Sequence, residues 1–526
     1  MPVLTAIDVL KVQPFIFASN RLRDVVTGSW LVHWSTSRDG TLKDFVSRES
    51  LLMVGGGNAI IEFKSWEEAR RFAACYTRRL YDKAPGLEVV VVHKAYDSGG
   101  LVRALQEIQV ELARVKAERI PASPLLGLSV TAACRESGLP AVGFDNKEPA
   151  IPLSWEVLSR REKAGEAEKR WEDFLSQCPG FAFPMELDQL GRTYGDTSLI
   201  GVVHVDGNGV GKKIKSWLDK KAESGAEDEV VRSECREWSE AINKLGNEVF
   251  QGVVDRVYCA ARKDLNNGQE VMKITGKPAR LSFELSKEKG EWLLPLRPIL
   301  LGGDDLTFVC DGRIALDLAE VAVSQFGKSD IPHLGNICAC AGVATVPAHT
   351  PFMRSYALAE NLCSSAKQML KMKGDEGCAL DWHIGTSRYG EVLDKARSQY
   401  QMKDRLLTCR PYRLGSDAGD EESWRWLSGT LLEDPERGLR GSHWSQGRNK
   451  VKALAEIIRE GPEGVSAAFR SWKIAAQQLN LPKPIEEDGF FAKNRTPLLD
   501  AVELLDLHFI LDPTSSAGRN DLEGRA

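Results

Sequence analysis

The sequence lacks any run of about eighteen apolar residues, so it offers no helix able to cross a bilayer, and no membrane partner is expected. Its opening residues, Met1-Pro2-Val3-Leu4-Thr5-Ala6-Ile7-Asp8, carry neither the basic region nor the long apolar core of a secretory signal. An excess of basic charge is also missing. Lys and Arg number 69 against 74 Asp and Glu, a net charge of −5, so the whole-molecule field does not mark a nucleic-acid binder. Eleven cysteines are scattered without a framework, which favours a reduced, cytoplasmic protein over a disulfide-stapled one. No pair of His or Cys stands at zinc spacing. Cys338 and Cys340 share one strand face and read as core residues. With 526 residues and 43% hydrophobic content, the chain can fill several cores.

What stands out is the stretch Pro298–Cys310, Pro-Ile-Leu-Leu-Gly-Gly-Asp-Asp-Leu-Thr-Phe-Val-Cys. Two apolar runs broken by Gly302-Gly303-Asp304-Asp305 predict a hairpin whose tight turn carries two carboxylates. Neighbouring strand residues point to opposite faces, and the glycines permit the turn to redirect one of them. Paired carboxylates at a tip are costly without a positive partner, and a divalent metal is the simplest one. Upstream, Ser198–Val205 reads as a buried strand ending in Asp206-Gly207-Asn208-Gly209-Val210-Gly211 before an amphipathic helix. A strand-end carboxylate followed by a glycine-rich turn into a helix is a common holder of nucleotide phosphate and its metal. Asp206, Asp304 and Asp305 are therefore the candidate ligands and catalytic residues of a two-metal phosphoryl-transfer site.

Periodicity gives residues 1–98 as strand, helix, strand, strand, helix, strand: Val3–Ile7, Val12–His33, Leu51–Val54, Ala59–Phe63, Trp66–Tyr81 and Leu87–His93. That βαββαβ order describes a ferredoxin-like sheet. Residues 99–195 are a helical and irregular linker. Arg103, Arg114, Lys116 and Arg119 sit on a mixed-charge helix whose default explanation is solvation, and Arg160–Leu175 reads as a charged connector. The segment Cys134–Pro140 looks like a zinc knuckle without its partner cysteine, so no zinc is expected there. Residues 196–385 repeat the first order, with an insertion at 213–298 holding a charged helix and a hairpin of Ala279–Leu285 with Trp292–Leu296. The repeat aligns Asp8 with Asp206 and Gly57-Asn58 with Asp304-Asp305. Residues 386–512 are expected to form a helical domain covering the second repeat, and 513–526 a disordered tail. The fold class is α+β.

These residues resemble the large polymerase/cyclase subunit of type III CRISPR effector complexes, whose paired palm domains are related to nucleotide cyclases and GGDEF diguanylate cyclases. The resemblance rests on Val203–Gly209, on Leu301-Gly302-Gly303-Asp304-Asp305, and on Ala341-Gly342-Val343-Ala344 leading into the helix Ala359–Lys371. It implies a nucleotidyltransferase that joins ATP into cyclic oligoadenylate messengers in anti-phage defence. It also implies two Mg²⁺ or Mn²⁺ ions on Asp206, Asp304 and Asp305; which of Asp304 and Asp305 is the direct ligand stays open, with Asp304 preferred and Asp305 assisting. Gly207, Asn208, Gly209, Gly302 and Gly303 would line the nucleotide, and Lys367 and Lys371 would steady its triphosphate. A solvated helix face is the plainer reading of the two lysines. The first palm, with Gly57 and Asn58 in place of carboxylates, would be degenerate and could accept a second nucleotide. No His-Asp dipeptide occurs, so the HD nuclease domain of such subunits is expected to be absent. ATP is favoured over GTP by the resemblance alone. The family implies guide-RNA effector subunits and target RNA as partners, and self-association stays open. Two alternatives stand beside the enzyme: a scaffold subunit of an RNA-guided complex, and a diguanylate-cyclase-like enzyme using GTP.

Overall fold

The computed structural model describes residues 1–120, 127–145, 149–190, 199–266, 268–385, 393–402, 405–415, 420–445, 447–474, 481–486, 488–491 and 494–512. The expected disordered tail, 513–526, lies outside them. The chain is α+β. Its first strand, β1 (Val3–Leu10), is an apolar run buried almost throughout, as a central strand covered on both faces must be. The single helix expected over Val12–His33 is instead a short turn, Val12–Ile16, and α1 (Leu22–Thr36). The break follows from Ser19, whose hydroxyl donates to Asp24 and accepts from the Arg21 amide, competing with the helical ladder. Then come β2 (Leu51–Gly55), β3 (Asn58–Phe63), α2 (Trp66–Lys83, N-capped by Ser65), β4 (Glu88–Ala95) and α3 (Leu101–Glu118). The sheet order is β2–β3–β1–β4, antiparallel throughout.

The second repeat consists of β5 (Leu199–Gly207), α4 (Val210–Ser224), α5 (Asp228–Tyr258), β6 (Leu296–Leu301), β7 (Asp305–Asp311), α6 (Ala315–Phe326), β8 (Ala339–Pro347), α7 (Phe352–Lys373) and β9 (Cys378–Ile384). With β10 (Tyr412–Leu414) its sheet runs β6–β7–β5–β8–β9–β10. The first four strands reproduce the order of the first sheet, and β9 extends it parallel to β8. The registers coincide: Asp8 stands opposite Asn58 and Asp206 opposite Asp305. The Val9 amide donates to the Gly57 carbonyl, and the Gly207 amide donates to that of Asp304, both at 2.9 Å.

The insertion holds more than expected. The expected charged helix is α5, and an unanticipated hairpin of Ala261–Asn266 with Gln269–Ile274 accompanies it. The hairpin expected from Ala279–Leu285 does not form, because Ala279–Leu281 is a 3-10 turn after Pro278 and Phe283–Glu284 pairs with Gln269–Ile274. Its turn does form: Lys287–Glu288 pairs with Glu291–Leu293 across Lys289 and Gly290, both at positive φ. The charged connector is two helices, Trp155–Glu162 and Ala164–Glu172, and it is not merely a connector. Arg160 is buried, stacked on the Phe15 ring at 4.7 Å and donating to the Phe15 carbonyl.

The repeats exchange helices. α5 packs on β2 and α1 packs on β6. Along the first contact, Asn243 donates to the Val54 carbonyl at 2.7 Å and Ser239 accepts from the Val54 amide, so α5 closes the open edge of β2. One apolar core runs through both repeats. The C-terminal segment contributes β10 as well as helices, and Trp382 of β9 packs between Tyr412 and Trp424 with ring centroids 5.6 Å from each. Buried pairs Arg397–Asp381 (2.6 Å) and Arg410–Asp500 (2.7 Å) fix it there.

α7 lies directly on the backbone of β8. A Cβ added at Gly342 would fall 1.9 Å from the Ala359 carbonyl oxygen and 2.4 Å from the Cys363 amide nitrogen. Gly342→Ala is therefore expected to cost about 1–3 kcal/mol through overpacking, measured as a lowered midpoint in chemical unfolding. An unchanged midpoint would show that α7 can shift freely.

Candidate active site

The two hairpin tips meet backbone to backbone. A Cβ on Gly302 would lie 3.3 Å from the Gly56 Cα, and a Cβ on Gly246 of α5 would lie 2.5 Å from the Gly303 carbonyl oxygen. Gly303 itself has φ 93°, a conformation that L side chains rarely adopt. Gly302 and Gly303 are thus required by packing between the repeats and by the turn, which is a different role from the nucleotide contact expected of them. The turn places Asp304 outside the strand while Asp305 opens β7, which frees the two carboxylates from the alternation of a regular strand.

Asp206 and Asp305 face each other across β5 and β7, on the side covered by α7. Lys367 of α7 donates to Asp206 Oδ2 at 2.6 Å and to the Gly207 carbonyl at 3.0 Å. Asp305 Oδ1 is buried without a hydrogen bond, 3.4 Å from His204 Nδ1, which is engaged with the Thr307 hydroxyl at 3.0 Å. The Asp305 side chain retains 42% of its exposure, yet it sits in a cleft walled by protein, where charge is poorly solvated. Desolvation first, then the neighbouring Asp206 and Asp305 charges, pushes the Asp304 carboxyl up to about 6. Desolvation followed by Asp206 and Glu360 raises Asp305 to about 7. Burial also holds His204 below the usual imidazole range, so it is neutral near pH 7.

The remaining expected site residues divide. Lys371, one turn beyond Lys367, is exposed and makes no ion pair among the described residues. The Asn208 side chain donates to the Gly377 carbonyl at 3.1 Å and contacts Cys340 Sγ, so it ties the turn to β8 and β9. The amides of Gly207 and Asn208 are already given to the carbonyls of Asp304 and Cys338. They are not free for phosphate; of the Gly207–Gly209 turn expected to line the nucleotide, only the Gly209 amide, just before α4, has no backbone acceptor among the described residues. Three residues were missed from sequence. Tyr356, Glu360 and Cys363 recur with the expected Lys367 at helical spacing along one face of α7, a signal that was legible. Glu360 accepts from Gln13 of the first repeat at 2.7 Å, and Tyr356 packs against His204 and Phe17.

The first repeat keeps half of this arrangement. Lys116 of α3 pairs with Asp8, so it is not the solvated charge expected. Lys116 follows the first residue of its helix, Leu101, by the same interval that separates Lys367 from Phe352. Asn58 and Gly57 supply no carboxylate. Between the repeats lies a cavity of about 870 Å³ whose walls include Asp8, Asn58, Lys116, Trp217, Gly302 and Asp304.

Among the described residues, no three His, Cys, Asp or Glu side chains stand close enough to form a ready-made metal cage. The donor chemistry nevertheless suits a hard divalent cation: the Gly207 carbonyl and three carboxylates, one of which, Asp305, has a buried oxygen without a hydrogen bond. Residues Asp206, Asp304 and Asp305 would hold it.

No family model matches the sequence, and no curated protein matches it. Solved structures do. Csm1 in T. onnurineus matches with a TM-score of 0.51 at 13% identity, over 96% of this chain and 70% of that one. This chain has the Csm1 fold. A Csm1–Csm4 cassette in complex with cA4 matches at a TM-score of 0.50 and 13% identity, over 96% of this chain and 70% of the other. A Csm1–Csm4 cassette in complex with AMPPNP gives 0.50 and 14%, over 96% and 69%. At such identity the likeness to Csm1 establishes the fold, and function must come from the site. No helix among the described residues is long and apolar enough to cross a membrane.

Both turn carboxyls hold their protons to higher pH in the folded chain than in the unfolded one, where the reference value is 3.8. The stability they contribute is therefore full below pH about 4 and is lost as pH rises through about 6 to 7. Without metal, the thermal midpoint is expected to fall between about pH 4 and 7, more steeply than in Asp304→Asn/Asp305→Asn. Equal slopes would show that neither group is desolvated as described.

Proposed function

We propose that the chain is a metal-dependent nucleotidyltransferase that joins ATP into a cyclic oligoadenylate, acting in a type III CRISPR-like defence system. In this reading the repeats are ferredoxin-like palm domains at 1–98 and 196–385, joined by the 99–195 linker and followed by the 386–512 domain. The observation that carries it is charge: Asp206, Asp304 and Asp305 share one lysine, whereas the equivalent positions of the first repeat are neutralised by Lys116. Uncompensated carboxylates are a cost that a scaffold has no reason to bear. Support also comes from the Csm1 fold, since relatives with that fold have been solved with AMPPNP and with cA4.

Divalent ions bound there would lower the pKa of an attacking 3′-hydroxyl and offset charge developing on an α-phosphate. The chain's own part is to hold the carboxylates on a rigid turn and to exclude bulk water with α7 and the first repeat. Lys367 supplies a cation for a triphosphate, and the cavity beside Asp8 and Lys116 gives room for a second nucleotide across from the first. A partner of the Csm4 kind fits the same reading.

Incubation of the purified protein with ATP and Mg²⁺ or Mn²⁺, followed by mass spectrometry, is expected to yield a cyclic adenylate. Asp304→Ala/Asp305→Ala should reduce its rate by about 100-fold or more, as loss of groups acting on the transition state does. Metal-dependent ATP binding without turnover, lost in the double variant, would mean that an activating partner is needed. No metal-dependent ATP binding at all would favour the scaffold. Product from GTP in place of ATP would assign the diguanylate alternative.

A further inference from the structure

Lys367 does what a metal ion would do at this site. Its ammonium group grips two oxygens, Asp206 Oδ2 at 2.6 Å and the Gly207 carbonyl at 3.0 Å. An ammonium is a compact cation with three donors on a flexible stem. Both oxygens are hard donors of the kind that Mg²⁺ binds at about 2.0–2.1 Å. Each oxygen has a second lone pair, but an ammonium and a divalent ion on the same two oxygens repel each other strongly where solvent screening is poor. Lys367 is also 28% exposed, so it has a way out toward the cleft.

The first repeat supplies the comparison. Lys116 occupies the same helical position and pairs with Asp8, but the facing residue is Asn58, so the single ion pair balances the site. At the second site the same lysine leaves two carboxylates unmatched, Asp304 and Asp305, with one Asp305 oxygen lacking any hydrogen bond.

We infer that Lys367 is an exchangeable placeholder cation: it holds Asp206 and the Gly207 carbonyl in the metal-free protein and surrenders both to an entering divalent ion, whereas Lys116 is a permanent counter-ion. This rests on the proposed metal-dependent reading of the site. Once displaced, Lys367 stays on the same face of α7, at the mouth of the cleft, with its charge available to a phosphate group. Metal entry and the arrival of a phosphate-binding cation are then a single event.

The test uses Mn²⁺ without nucleotide. Calorimetry should show Lys367→Met binding Mn²⁺ at least about tenfold more tightly than the wild type, because no resident cation must be expelled, while Lys116→Met binds as the wild type does. A crystal structure of the Mn²⁺-loaded wild type should show the Lys367 ammonium beyond hydrogen-bonding distance of Asp206. Should Lys367→Met fail to fold, Lys367→Gln serves in its place, and the Mn²⁺-loaded wild-type structure decides independently. An unchanged or weaker Mn²⁺ affinity in the variant, or an Asp206–Lys367 pair that persists beside bound Mn²⁺, overturns the inference. If ATP is still converted in those cases, the enzyme reading survives alone. If neither wild type nor variant binds Mn²⁺, both fall together.

Discussion

The contact between the two hairpin tips is the constraint on which the rest of the molecule depends. Gly56 and Gly302 touch through their backbones, and Gly246 seats α5 on Gly303 with no room for a side chain. Because β6 and β7 hang from that tip, the tip fixes where Asp304 and Asp305 stand relative to Asp206 and how wide the cavity between the repeats can be. The exchanged helices act on the same joint. α5 closes the edge of β2 through Asn243 and Ser239, so separating the repeats would expose unpaired strand groups as well as apolar surface. A rigid turn is what a charged site requires, since carboxylates on a mobile loop would relax away from one another and from any ion they share.

The repeats put different charges on one backbone frame. Strand order, pairing register and the amide bond from the residue after the strand-end aspartate are common to both. At the first site one carboxylate meets one lysine. At the second, three carboxylates meet one lysine in a cleft where desolvation raises both turn carboxyls. Folding gains nothing from that excess, and the linkage of the two groups shows its cost: the protein is less stable as they ionise.

Much of this was legible because it is local. The strand runs of the two repeats, the Gly-Gly-Asp-Asp turn and the alignment of Asp8 with Asp206 follow from patterns a few residues long, and the fold keeps each of them, unlike the run Ala279–Leu285 of the insertion. Partners far apart in sequence were not legible. Lys116 read as a solvated charge because nothing near it in sequence announces Asp8, and Arg160 read as part of a surface connector because Phe15 is far upstream. Gly207 and Asn208 were expected to line the nucleotide, yet their amides are taken. Their acceptors, the carbonyls of Asp304 and Cys338, come from neighbouring strands that only the sheet brings close. The helix break at Ser19 was missed for the opposite reason, since a single hydroxyl overrode a long apolar periodicity.

The face of α7 connects these levels. Tyr356, Glu360, Cys363 and Lys367 line it in succession, and the helix cannot move toward β8 because Gly342 already meets its backbone. Its first half touches the first repeat, with Phe17 against Phe352 and Tyr356, and Gln13 on Glu360. Its second half carries the lysine that balances Asp206. The helix that carries Lys367 to Asp206 is thus anchored at its other half by the first repeat, so the seating of the repeats and the placement of that cation rest on one element.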